Sequence, residues 1–174
     1  MWSIDLIRLC GMAAIFAGVL RVINSFIPDT TPRIMSLYFL TDIFILIGTI
    51  GIYYFAQGQV RLMVTLGFIL QVLGVLILIT RDVAVFGSSA YLPGALAFAV
   101  GLDLLAVGSW KREQFPRWIL IFWVLSTIVG PMGNFIRGVS FLLKVAGVLF
   151  GVAFAGAGMK ILFNSHNKQD ALGH

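Results

Sequence analysis

Arg21, Asp42 and Lys144 each interrupt a long apolar run, as do Arg8 and Asp103, and Arg61 opens another. A charge in apolar surroundings is costly unless it is paired, hydrated or put to use. These side chains are therefore where any chemistry would be done. On helices rising ~1.5 Å per residue, Arg21 lies about 9 Å, Asp42 about 10 Å and Lys144 about 8 Å below the same ends of their segments. Asn24, Thr41, Asn134 and Arg137 fall close to that level. Arg21, Lys144 and Arg137 face a single acid there, Asp42, so the charge surplus is positive. A water-filled pocket with that balance suits an anion, a carboxylate or a lipid phosphate better than a metal cation. Asp103, about 10 Å from the opposite end of its segment, has Arg8 and Arg61 as candidate partners. The plain alternative is structural. Arg21–Asp42 and Arg8–Asp103 would then be buried pairs fixing helix register, with cations near helix ends snorkelling outward.

Other chemistries are excluded or weakened by residue type. Cys10 is the single cysteine, so no disulfide, iron–sulfur cluster or thiolate zinc site fits. Both histidines, His166 and His174, lie near the end of the chain, outside every apolar run. A serine–histidine nucleophile and a histidine-ligated haem or metal inside the apolar layer are thereby removed. Asp42 and Asp103 fall near opposite ends of their segments, which separates them as an acid–base pair. No phosphate-binding glycine loop follows a strand. The expectation is no enzymatic activity, no metal and no cofactor.

The elements that must hold these residues follow from composition. The chain has 174 residues, 60% apolar and 11% charged, against about 45–50% and about 25% in ordinary soluble domains. Its mean hydropathy is +1.01. Too few polar residues exist to cover a water-facing surface, so the chain reads as an integral membrane protein. Six apolar segments are long enough to span a bilayer: 4–27, 35–56, 60–80, 90–110, 117–135 and 139–163. They do not alternate apolar and polar residues, which argues against a barrel. Breakers separate them: Pro28 to Pro32, Gln57-Gly58-Gln59, Arg81-Asp82 with Gly87-Ser88-Ser89, and Lys111 to Gln114 before Pro116. Pro131 to Asn134 is expected to break or end the fifth helix. Asp5, Arg8 and Arg21 argue against a cleaved signal peptide, so the first segment is kept as a helix.

The predicted architecture is an all-α polytopic bundle of six helices with short loops. Residues 1–163 form one transmembrane domain, and 164–174 form a polar, flexible tail. Arg8, Arg61, Lys111, Arg112, Arg117, Lys160 and Lys168 fall on one side, against Arg21, Arg33, Arg81, Arg137 and Lys144 on the other. The basic bias places both termini in the cytoplasm. The net charge of +5 fits basic loops rather than nucleic acid, since no basic face tracks phosphates. Glycines recur seven residues apart at Gly11/Gly18, Gly67/Gly74, Gly101/Gly108 and Gly151/Gly158. Gly147, Gly151, Ala155 and Gly158 make a small-residue stripe on the last helix, suited to internal packing or to a second copy of the chain. The shared spacing hints at a duplication of helices one to three in helices four to six. Expected partners are the bilayer, an anionic small molecule or headgroup, and a homo-oligomer or membrane partner.

Three stretches carry a resemblance. They are Leu9-Cys10-Gly11-Met12-Ala13-Ala14-Ile15-Phe16-Ala17-Gly18, Phe115-Pro116-Arg117-Trp118, and the glycine–alanine helix from Gly147 to Gly158. In layout the chain resembles a broad group of uncharacterised bacterial six-span membrane proteins and is similar to the acid-resistance-associated six-span family. The resemblance implies a bacterial inner (plasma) membrane location and no particular activity.

Overall fold

In lipid an apolar run can satisfy its backbone hydrogen bonds alone only by becoming a helix, and the apolar runs do so here. The computed structural model describes residues 4–28, 34–56, 61–80, 84–85, 88–110, 114–135 and 141–170. The helices are α1 (Ile4–Asn24), α2 (Ile34–Ala56), α3 (Arg61–Ile79), α4 (Tyr91–Trp110), α5 (Arg117–Phe135) and α6 (Phe141–Asp170). Five of the six are long and apolar enough to cross a membrane; α5 is shorter, apolar over Arg117–Gly133. The described chain is thus helical apart from one short hairpin, with helices of membrane-spanning length and hydropathy. Between α3 and α4 the two-residue strands β1 (Ala84–Val85) and β2 (Ser88–Ser89) pair antiparallel, where sequence suggested only a loop.

Several helix ends depart from the hydropathic spans. Helix α1 stops at Asn24, short of Ile27. Ser25 turns its hydroxyl back to donate to Arg21 O at 2.9 Å, and the Ser25 and Phe26 amides close tight turns onto Val22 and Ile23. Pro28 follows, which cannot continue a helix. Pro131 does not break α5, which runs through it to Phe135. The missing amide hydrogen there removes one bond, and the flanking turns hold the helix. Helix α6 continues past Phe163 to Asp170, so the first part of the expected tail is helical.

Packing is set by glycine. A Cβ on Gly18 would collide with Gly151 O, and one on Gly158 would stand 2.5 Å from Gly11 O. One on Gly67 would stand 2.7 Å from Gly101 O, and one on Gly74 2.8 Å from Gly94 O. In both seams the residue numbers run oppositely, so α1 is antiparallel to α6 and α3 to α4. Backbone lies on backbone along each seam, as small residues permit in lipid. Exchanging the first three helices with the last three maps one seam onto the other. The remaining contacts extend α1–α6 on either side to α2 and α5, while the α3–α4 hairpin attaches more lightly through those same two helices.

The core between them holds Phe115, Ile119, Leu120, Trp123, Phe154 and Ile161, all buried. Phe115 stands edge-on to Trp123 at 5.8 Å and tilts onto Phe55 of α2 at 5.2 Å. The outside is apolar too. Leu9, Met12, Phe16, Val19 and Ile23 are all exposed along one face of α1, a face that only lipid covers favourably.

Overpacking a seam should destabilise the bundle. Gly18→Leu is expected to lower unfolding stability in detergent by about 1–3 kcal/mol or more. Val19→Leu, on the exposed face, is expected to stay within about 0.5 kcal/mol of the parent. Denaturant titration followed by tryptophan fluorescence reads both.

Candidate functional site

The polar residues near the end of α1 converge with α2 and α6. Thr41 donates its only hydroxyl hydrogen to Leu37 O at 2.7 Å, so its oxygen is left to accept. It accepts from Asn24 Nδ2 at 2.9 Å, which fixes the orientation of the Asn24 amide. Asn24 Oδ1 then faces elsewhere, buried and without a hydrogen-bond partner among the described residues. Asn24 is 2% exposed and Thr41 0%. Asp42, the next residue on α2, is 9% exposed and does have a partner.

Arg21 lies one turn before Asn24 and is half-buried. Gly147 of α6 lies beside it. A Cβ at Gly147 would overlap Ser25 Oγ and stand 3.9 Å from Arg21 Nε, an ordinary contact distance. Glycine at 147 thus lets the serine hydroxyl sit against a helix backbone, with the guanidinium alongside. Lys144, one turn earlier in α6, is exposed. Because α1 ends at Asn24 and α6 begins at Phe141, Arg21 and Lys144 stand in a last and a first turn. They are shallower than the hydropathic spans implied. Arg137 and the Asn134 side chain lie outside the described residues.

The second level is arranged differently. Asp103 of α4 is half-buried, and Thr127 of α5 is its hydrogen-bonding neighbour, with Thr127 Oγ1 2.8 Å from Asp103 Oδ1. Arg8, half-buried on α1, has a partner of its own, and α1 is not among the helices that pack extensively on α4. Arg61 opens α3, and its side chain lies outside the described residues. Helix α3 sits on the Gly94/Gly101 face of α4. Asp103, two residues on from Gly101, is turned about 200° from that face at about 100° per residue. Sequence reasoning missed Thr127. The available signal was a lone acid on α4 that needed a neighbour, and a hydroxyl four residues before a proline.

The α6 stripe is filled from within. Gly151 and Gly158 lie against Gly18 and Gly11, and Ala155 touches the Gly18 position. With Gly147 against Ser25, the whole stripe faces α1 and offers no backbone to a second copy of the chain.

Comparison of the chain with protein-family models, with curated proteins and with solved structures finds no match in any of the three.

The Asn24–Thr41 bond ties α1 to α2 at this site. Thr41→Val keeps the shape and strands the Asn24 amide, so a loss of about 1–3 kcal/mol is expected. Thr80→Val, whose exposed hydroxyl bonds only to its own helix, should change stability by less than about 0.5 kcal/mol. Thermal unfolding in one detergent compares them.

Proposed function

We propose that this chain is a small multi-pass protein of the bacterial inner membrane that takes up an anionic group, carboxylate or phosphate, at the α1/α2/α6 site. It would act as a permease, a channel or a lipid-binding protein. The carrying observation is the half-buried Arg21 guanidinium beside Gly147, next to the buried Asn24 and Thr41. Arg21 presents a planar cation that matches a carboxylate or phosphate. Lys144 adds a second, exposed cation, and Asp42 orients polar groups from α2. Asn24 Oδ1 adds an acceptor for a ligand hydroxyl or ammonium once the site opens. The lysine and arginine bias of the loops supports both termini in the cytoplasm, with this site facing outward. The resemblance in layout to bacterial six-span proteins supports the location.

A second reading is a non-transporting accessory or assembly protein, for which the α6 stripe and the basic segment from Lys111 to Arg117 are the sequence features that would meet a partner or anionic headgroups. The occupation of that stripe by α1 leaves the basic segment as its support.

Phosphate is the probe. The full chain, reconstituted in neutral phosphatidylcholine nanodiscs, would be titrated with inorganic phosphate, and in a second arm would receive increasing phosphatidylglycerol. Saturable protection against thermal unfolding in one arm identifies the source, free anion or headgroup. Arg21→Gln should weaken that binding by about tenfold to a hundredfold, the equivalent of a lost charge-assisted hydrogen bond. Protection in neither arm, or equal protection in Arg21→Gln, contradicts the reading.

A further inference from the structure

At the α4–α5 seam one hydroxyl hydrogen stands between two acceptors, and a second hydrogen would let both contacts be bonded at once. Thr127 Oγ1 lies 2.8 Å from Asp103 Oδ1 and also 2.8 Å from Val124 O. A threonine hydroxyl has one hydrogen and cannot donate to both. The shortage of donors is deepened one turn on. Pro131 has no amide hydrogen to give to Thr127 O, the acceptor four residues back. Acceptors therefore outnumber donors around a carboxyl group in the middle of an apolar seam.

Among the described side chains of the packed elements, no cation is recorded beside Asp103; the Arg61 side chain at the start of α3 lies outside them. Asp103 is the one charged residue of α4, and α3 carries none from Leu62 to Ile79. Helix α5 carries only Arg117, ten positions and about 15 Å along the axis from Thr127. Helix α2, which touches α4 lightly, brings Asp42 and the tyrosines Tyr38, Tyr53 and Tyr54. Helix α6 reaches α4 through Phe150 on Phe98, with centroids 5.5 Å apart; it carries Lys144 in its first turn, Lys160 ten positions beyond Phe150, and His166, Lys168 and Asp170 in its last turns. An unpaired carboxylate in such surroundings is costly, whereas a neutral carboxylic acid is a donor that the site lacks.

We propose that Asp103 is a proton-binding site. Its carboxyl O–H donates to Thr127 Oγ1, and the Thr127 hydroxyl hydrogen goes to Val124 O. Every hydrogen then has one acceptor. The ligand is a proton, held where the α3–α4 hairpin meets α5. Its release leaves an anion with no counter-charge beside it among the described side chains, so the seam must admit water when the proton departs. Proton release and opening of the α4–α5 seam are in this way linked.

Infrared spectroscopy of the full chain in phosphatidylcholine bilayers tests this at about pH 7, where a free aspartate is ionised. The expected result is a carboxylic-acid C=O stretch that shifts in deuterium oxide, persists in Asp42→Asn and disappears in Asp103→Asn. A carboxylic-acid region identical in Asp103→Asn and the parent overturns the proposal. Should Asp103→Asn fail to fold, Thr127→Val keeps the acid and removes its acceptor. The stretch should then move to higher frequency, and an unmoved band overturns the proposal equally.

Discussion

Backbone pressed on backbone at two glycine seams is the constraint from which the rest of this bundle follows. Lipid offers helices no hydrophobic reason to associate, so close approach has to supply the attraction. Gly11 and Gly18 against Gly158 and Gly151 lock α1 to α6. That register brings Gly147 beside the end of α1, where Ser25 uses the space a side chain would fill and Arg21 lies alongside. Gly67 and Gly74 against Gly101 and Gly94 lock α3 to α4. That seam fixes the rotation of α4, and Asp103 is turned away from α3 and towards α5 as a result. Both polar sites are consequences of where glycine allows contact.

The two sites solve the problem of polarity in an apolar layer in opposite ways. At the α1/α2/α6 end, cations sit in terminal turns, and the buried Asn24 and Thr41 are bonded to one another. A charged ligand can be met there without crossing much lipid. At the α4–α5 seam an acid sits with a threonine hydroxyl as its neighbour and no cation recorded beside it among the described side chains, and the proposed solution there is neutrality. A helix that keeps a proline four residues after Thr127 accepts an unsatisfied carbonyl at the same place. The lighter attachment of the α3–α4 hairpin makes that seam the easier one to part.

The helices were legible in the sequence because runs of apolar residues of bilayer length admit few other structures. The glycine spacing was legible as well, but not who meets whom. Pairs seven apart on four helices fit several partnerships, and only the fold assigns α1 to α6 and α3 to α4. Hydropathy misjudged the helix ends because Ser25, Phe26 and Ile27 are compatible with a span, while the Ser25 hydroxyl and Pro28 terminate the helix. Pro131 does not break the helix, whose flanking turns hold across it, and α5 is described as far as Phe135, one residue beyond the breaker stretch. Thr127 was invisible because a threonine among apolar residues reads as span. Its role exists only once α4 and α5 are side by side.

On the proposed function, the Arg21 level is reached by water and solutes from one side of the membrane. Cysteine accessibility tests it most directly. In a Cys10→Ser background, single cysteines at Asn24, Ser25, Thr41 and Val145 would be exposed to a membrane-impermeant thiol reagent, with Ser88 as the loop control. The account predicts labelling of Ser25→Cys and of at least one of the others, slowed by saturating phosphate or by phosphatidylglycerol. Labelling at Ser88→Cys alone would contradict it and leave the charges of α1, α2 and α6 as a sealed structural cluster.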